Sequence, residues 1–236
     1  MGSGNQESIA PSNASTGSRL ITSLVAPAVK LWLRSQVEAA TEITVRLDGR
    51  DREILAGRLP QAQINAESVV YQGLHLSHLN LQATDIAVNL GQVLRGKPLR
   101  LMQPIPVSAE LKLFAPDLAA SLAAPLLAPA LADFLAPLLA LWGRPVTFEQ
   151  PQATLAGGRL ILSGAIEQQP VQLCLGLELV DPQTLQLCNP QWLNQAGEPI
   201  AQGSSVLLPL GEDVAISDLS IEPEGLQCTG TLLVRP

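Results

Sequence analysis

Residues 116–142 read PDLAASLAAPLLAPALADFLAPLLALW and differ in composition from the rest of the chain. Their large side chains are almost all Leu, their small ones are Ala, and their two charged residues are both Asp. Ala and Leu favour α-helix, whereas each of the three internal prolines removes a helical N–H. We therefore predict a kinked helix, or two helices that meet near residues 125–129.

This apolar block raises the question of a membrane span. About 20 apolar residues are enough to cross a bilayer, so the block is long enough. Asp133 near its middle would cost roughly 2.5–3.5 kcal/mol on insertion scales, and the prolines weaken a span further. We expect no transmembrane segment, because a helix that is apolar on nearly all sides is equally well explained by burial inside a sheet.

Sequence with the period of a β-strand lies on both sides of the block. Apolar and polar residues alternate at 43–48 and 74–82 before it, and candidate strands continue after it at 146–155, 159–167, 171–180, 205–210, 215–221 and 226–234. The polar run 49–52 predicts a hairpin turn. Residues 98–114 read as a long strand whose Pro104 and Pro106 suit an edge or a bend. We predict an α+β fold with a long curved antiparallel sheet wrapped around an apolar, Pro-kinked helix.

A second helix is predicted at residues 19–40, where apolar residues recur on one side and Pro27 predicts a kink. Arg19, Lys30 and Arg34 form a basic stripe beside an apolar side that carries Trp32. Basic and indole side chains together are typical of helices that lie on an anionic membrane surface. These four residues are our candidates for membrane docking; the alternative is that the apolar side packs on the sheet and the stripe is solvated.

Residues 1–18 are rich in Ser, Asn and Gly and read as a disordered tail, followed by a single domain at 19–236. The tail lacks a basic segment followed by an apolar one, so it does not read as a secretory signal. The three cysteines, an odd number without a CxxC pair, indicate reduced thiols, with a Cys174–Cys188 bridge as the alternative. We expect a cytoplasmic protein, with peripheral membrane contact left open.

Composition and motifs argue against several function classes. The net charge of −7 disfavours nucleic acid as a partner. No phosphate loop, nucleophile elbow, zinc helix or dinucleotide-binding glycine pattern is present. His75 and His78 are three apart, so on a strand they face opposite sides and chelate one metal poorly. We expect no enzyme activity, no cofactor and no metal.

A curled sheet around an apolar helix leaves room for an apolar groove, although close packing around Ala explains the composition equally well. If a groove exists, we expect the apolar block and the first helix to line it and to hold one or two acyl chains. The candidate lining residues are Leu24, Leu31, Leu122, Leu126, Phe134, Leu138 and Trp142.

Four stretches of the chain resemble the LmeA-like phospholipid-binding family, in its cyanobacterial form. They are RLI at 19–21 with LWLRSQV at 31–37, YQGLHL at 71–76, NLGQVLRGKPL at 89–99, and DLAASL at 117–122. The resemblance covers roughly residues 19–236 and rests on motifs of the fold. It implies a fold akin to one half of the TULIP-type lipid-binding proteins and phospholipid binding in an envelope-facing setting, whereas this chain shows no signal peptide or lipoprotein cysteine.

Two hypotheses follow. The first is a non-enzymatic protein that binds or transfers phospholipid or fatty acyl chains near a membrane. The second is a scaffold or adaptor that binds protein through its sheet surface. Extraction with organic solvent followed by mass spectrometry separates the two.

Overall fold

The computed structural model describes residues 20–93, 97 and 100–236. The predicted tail at 1–18 and Arg19 lie outside the described residues. The described part contains the following elements in chain order: α1 (Leu20–Gln36), β1 (Glu42–Asp48), α2 (Asp51–Leu55), β2 (Arg58–Tyr71), β3 (Leu74–Ala87), α3 (Leu90–Val93), β4 (Ile105–Phe114), α4 (Ala115–Ser121), α5 (Ala128–Leu139), a 3₁₀ turn (Ala140–Trp142), β5 (Glu149–Ala156), β6 (Arg159–Ile166), β7 (Gln169–Asp181), β8 (Thr184–Asn194), β9 (Pro199–Gln202), β10 (Val206–Pro209), β11 (Val214–Glu222) and β12 (Gly225–Val234).

The strands form two antiparallel sheets. The first sheet has the order β1-β2-β3-β4-β12-β11, and the second has the order β10-β8-β7-β6-β5 with β9 pairing the other end of β8. The predicted α+β class with antiparallel strands is therefore confirmed. The strands divide between two sheets, whereas the sequence predicts one long sheet, because strand alternation does not specify which strands become neighbours.

The apolar block forms two helices, α4 and α5, joined by turns at residues 122–127. The break falls where the prolines cluster, which is one of the two predicted forms. Pro137 lies inside α5, and the 3₁₀ turn that follows ends at Gly143 in the left-handed conformation, with φ of 68°. Leu135 and Leu138 of α5 are buried, while the opposite side of this helix presents mainly Ala to solvent.

The link between β1 and β2 is not the tight hairpin turn that the polar run predicts. It contains the short helix α2, whose first turn carries Asp51 and Glu53. The Glu53 carboxylate accepts the backbone N–H of Arg50 at 3.0 Å, which satisfies a donor that the start of a helix leaves unpaired. Acidic residues beside the positive end of a helix were the signal for this element.

Pro104 and Pro106 lie at the margin of the first sheet. β4 begins at Ile105, later than predicted, and lies between β3 and β12. Its pairing with β3 begins only at Val107, opposite Ala83. Pro106 therefore has no partner on β3, and the N–H that proline lacks is not needed for pairing on that side.

Buried apolar residues form one large cluster and two small ones. The large cluster lies between the second sheet and the α4–α5 segment and includes Leu138, Leu173 and Trp192, each with no exposed surface. A small cluster around Ile86 and Ile105 lies at one end of the first sheet. The other, around Ile43, Ala66 and Val69, receives Leu33 and Val37 from the α1 side. No helix among the described residues is both long and apolar enough to cross a membrane.

Candidate functional site

One face of the first sheet is apolar across three successive rows. Residues directly opposite each other in antiparallel strands share a face, so the strand register defines rows across the sheet. Three successive rows contain no polar side chain: Ile43–Ala66–Leu79–Leu111–Cys228–Leu219, Val45–Ile64–Leu81–Ala109–Gly230–Ile216, and Leu47–Ala62–Ala83–Val107–Leu232–Val214. A face of this width must be covered, because exposed apolar area costs roughly 25 cal/mol per Å² relative to burial.

In the part of the chain that the structure describes, none of the buried clusters includes the middle of this face. The residues concerned are half-buried and lie outside all three buried clusters; we call them the central apolar patch: Leu79, Ala109, Leu111, Ile216, Leu219 and Cys228. Each side chain of the patch is only half-buried and so keeps accessible surface for an apolar partner.

The patch is bounded on four sides. The α1 side of the sheet carries one small cluster, and the opposite side meets the second sheet, where β11 approaches β7. Toward one end of the strands, Val88 and Leu101 cover the cluster around Ile86. Toward the other end, α4 packs against β3, β4 and β12. The result is an apolar surface framed by folded elements rather than a flat exposed sheet.

Polar contacts fix α4 at its end of the patch. The hydroxyl of Ser77 donates to Asp117 at 2.6 Å and accepts the N–H of Phe114 at 2.6 Å. The hydroxyl of Ser121 accepts the N–H of His75 at 2.8 Å and donates to the carbonyl of Asp117 at 2.7 Å. Ser77 and Ser121 are both buried. The helix is therefore held to β3 in a defined position, which sets where the patch ends.

The opposite face of the first sheet is polar along the same strands. Its central rows are Glu42–Glu67–His78–Lys112–Gln227–Ser220 and Thr44–Asn65–Asn80–Glu110–Thr229–Asp218. His78 lies 3.8 Å from the Glu67 carboxylate and edge-on to the ring of Phe114. Two shallow depressions of about 340 and 230 Å³ on this sheet share Asn80, Glu110 and Thr229. The sheet thus separates an apolar side from a hydrated one.

The one thiol within the central apolar patch is Cys228. Burial raises its pKa above the ordinary thiol value, and the nearby Asp218 carboxylate raises it further. A raised pKa keeps the group a neutral thiol at physiological pH, and a neutral thiol is compatible with an apolar ligand. Cys174 and Cys188 are buried in the second sheet, and all three thiols are free.

The structure distributes the predicted groove residues over several environments. Leu138 is completely buried, and Leu122, Phe134 and Trp142 are half-buried against the same large cluster. Leu126 is 43% exposed on the turn between α4 and α5. The structure does not bring this group together with Leu31 of α1, which is 72% exposed. The side chain of Leu24 lies outside the described part of the structure.

Three of the four predicted docking residues are described, and all three are exposed. Lys30, Trp32 and Arg34 lie on α1, with Trp32 46% exposed beside Leu31. Leu31, Trp32, Arg34 and Ser35 line an open depression of about 570 Å³. Basic and large apolar side chains are therefore neighbours on one solvent-facing part of this helix.

A model of the LmeA-like phospholipid-binding family matches residues 16–231 of the 236. The chain belongs to this family. No curated protein and no solved structure is significantly similar to it.

The family is described as phospholipid-binding. Among the described residues, no group of His, Cys, Asp or Glu is placed to hold a metal ion. Sequence reasoning missed the central apolar patch, although its signal was present in the alternation of Leu79 and Leu81 with Asn80 and Gln82. It placed the groove on the helices because their composition was the more unusual.

Proposed function

We propose that this member of the LmeA-like family is a non-enzymatic phospholipid-binding protein and that an acyl chain lies along the central apolar patch. The observation that carries the proposal is a set of three apolar rows across six strands, whose middle residues are only half-buried. Each methylene that an acyl chain buries there contributes about 0.8 kcal/mol. A chain lying over the patch is therefore retained even when only part of it is covered.

The apolar block contributes to this site at its end. Its helix α4 is bonded to β3 through Ser77 and Ser121 and so lies beside the patch. Leu122 follows it in the chain and, like Phe134, is half-buried against the large cluster; we include both in the proposed site. Leu138 has no exposed surface and supports the site by holding α5 to the second sheet.

Peripheral membrane contact is the second part of the proposal. Lys30 and Arg34 carry positive charge beside the exposed Leu31 and Trp32 on a protein of net charge −7. Each basic residue near an anionic surface contributes roughly 1 kcal/mol, and salt screens this attraction within about 8 Å. In this proposal α1 lies on the bilayer, with Trp32 at the headgroup level, while the protein takes up or releases lipid.

Lipid binding is tested by extracting the purified protein with organic solvent and identifying the extract by mass spectrometry. Leu111→Gln introduces a polar group into the patch, and Glu110→Gln, its neighbour on the polar face of β4, is the matched control. We expect phospholipid from the parent and the control, and a loss of most of it from Leu111→Gln at unchanged secondary structure. Equal lipid content in all three proteins, or none in any, contradicts the proposed site, and the latter favours a scaffold that binds protein through its sheet surface.

Membrane contact is tested by flotation with phosphatidylcholine vesicles that do or do not contain phosphatidylserine. We expect binding to the anionic vesicles at low salt, weaker binding at high salt, and loss of binding when Lys30 and Arg34 are both changed to Glu. The paired control is Arg46→Glu with Lys112→Glu, which changes the net charge equally on the polar face of the first sheet. Equal flotation of both double variants excludes α1 as the contact.

A further inference from the structure

Strand β1 is a long open edge of the first sheet. It pairs with β2 along its whole length of seven residues without a register shift, and no other strand of the described part pairs with it. The other outer strands are short or irregular: β9 and β10 have four residues each, and β5 and β11 contain register shifts and lie against other elements. A regular edge presents unpaired backbone N–H and C=O groups that a further strand can bond.

The polar side chains of β1 carry charges of both signs. Glu42 and Arg46 are both exposed, and neither forms an ion pair with another residue of the described part. Glu42 lies directly opposite Glu67 of β2, and like charges in this position destabilise a strand pair. A cation on the open side of Glu42 offsets that repulsion.

A second copy of β1 supplies this cation in one antiparallel register. When a two-fold axis passes through Thr44, Glu42 of each copy lies opposite Arg46 of the other, so that two ion pairs form. The two Thr44 side chains then face each other, a pairing that is itself favourable on a sheet. Ile43 lies opposite Val45, so the apolar side chains of both copies stay on one face.

The neighbouring registers lack this match. An axis through Val45 places Glu42 opposite Asp48, which brings two acids together. An axis through Ile43 places Glu42 opposite Thr44 and leaves Arg46 beyond the end of the partner strand. A slip by a single residue puts apolar side chains opposite polar ones. Backbone pairing, face matching and charge therefore agree in the register centred on Thr44.

We infer that β1 is a dimer interface whose partner is a second copy of this chain, paired antiparallel about Thr44. Each copy contributes the same strand, as a two-fold interface requires, and the two six-stranded sheets become one continuous sheet. The interface does not depend on lipid binding. Charges on an outer strand also serve to deter pairing, and the two explanations differ in what charge reversal does.

The test measures the mass of the protein in solution by sedimentation velocity over a wide range of concentration. The variants are Glu42→Arg and Arg46→Glu, studied alone and as an equimolar mixture. Each variant alone has like charges at both contacts, whereas in the mixed dimer every contact joins opposite charges. The matched controls are Glu110→Arg and Lys112→Glu, which make the same changes on β4, in the middle of the same polar face.

We expect the parent and both controls to dimerise and each variant alone to dimerise at least about tenfold more weakly. The mixture should regain the affinity of the parent, which also shows that both variants are folded. Single variants that dimerise as well as the parent, or a mixture that stays monomeric, overturns the pairing of Glu42 with Arg46. Lipid content and vesicle flotation are separate measurements, so failure of the interface leaves the proposed function standing.

A cysteine at the axis detects a dimer that is too weak to sediment. Directly opposite residues in antiparallel strands have Cα atoms about 4.5 or 5.5 Å apart, within the reach of a disulfide. We expect oxidised glutathione to cross-link Thr44→Cys but not Asp48→Cys, which lies roughly 27 Å from its counterpart in this register. Addition of Arg46→Glu to Thr44→Cys should abolish the cross-link. Absence of the cross-link, or equal cross-linking of both cysteine variants, overturns the inference and favours charges that deter pairing.

Discussion

The two sheets of this protein use the same alternation of apolar and polar residues in opposite ways. The second sheet covers most of its apolar face with α4 and α5 and buries Leu173, Leu187 and Trp192 completely. The first sheet also has an apolar face, but the buried clusters centred on it are two small ones, around Ile86 and Ile105 and around Ile43, Ala66 and Val69. The difference indicates that the second sheet contributes more of the stability, whereas the first sheet leaves an apolar surface partly accessible.

The comparison predicts that equal truncations have unequal consequences in the two sheets. Trp192 is completely buried, donates to the carbonyl of Leu138 at 3.1 Å, and contacts the rings of Trp142 and Phe148. We expect Trp192→Ala to lower the free energy of unfolding by about 3–5 kcal/mol, measured by urea denaturation. Leu111→Ala, in the half-exposed patch, should cost less than about 1.5 kcal/mol, half of a full leucine burial. Costs of equal size would show that both sheets contribute equally to stability.

The next largest expected effect on stability comes from weakening the contact between α4 and β3. Ser121→Ala removes the acceptor of the part-buried His75 N–H, and a fully buried donor left unsatisfied costs roughly 1–3 kcal/mol. We expect a lower midpoint of thermal unfolding together with weaker lipid retention, since the end of the patch is no longer fixed. Ser217→Ala is the control, because its hydroxyl bonds Thr229 on the exposed polar face. An unchanged midpoint in Ser121→Ala would show that α4 is held by apolar packing alone.

The sequence predicted the elements better than their arrangement. The helical nature of residues 116–142 and the break near 125–129 follow from Ala, Leu and Pro content, which acts locally. The pairing of β12 with β4 joins Leu226 to Leu113 across more than a hundred residues, and no local pattern specifies it. The candidate site depends on that pairing, because Leu111 and Cys228 become neighbours only when the strands meet. Helix α2 was missed because the charges of Asp51 and Glu53 read equally well as a solvated turn.

The thiol of Cys228 lies in the central apolar patch, so its rate of modification reports whether a ligand covers the patch. We expect a maleimide to modify it slowly, because burial and Asp218 raise its pKa and leave little thiolate at neutral pH. Phosphatidylcholine should slow the reaction severalfold further, since an acyl chain on the patch covers the sulfur. The measurement is intact-protein mass spectrometry over time, in which the buried Cys174 and Cys188 remain unmodified. Modification at the same rate with and without lipid would place the ligand elsewhere.

The smallest expected effect concerns the ion pair that joins the start of β11 to the end of β12. Arg235 donates to Asp213 at 2.6 Å and lowers the pKa of that carboxyl group. A lowered folded-state pKa stabilises the fold above about pH 4 and loses this effect as the pH falls through the folded value. Both groups are on the surface, so we expect Arg235→Gln to shift the thermal midpoint slightly at neutral pH and not at low pH. A shift that is equal at both pH values would show that the side chain acts by packing.

The strand order also determines when each half of the molecule can form during translation. The second sheet is built from strands between residues 149 and 209, most of which pair with a sequence neighbour, so it can be completed as a unit while synthesis continues. In the first sheet β12 lies between β4 and β11. β4 therefore gains this partner only after more than a hundred further residues have been synthesised. Throughout that interval one edge of β4 has no partner strand. An unpaired strand edge is a template for aggregation, so we expect the nascent chain to be most prone to aggregate before β12 is made.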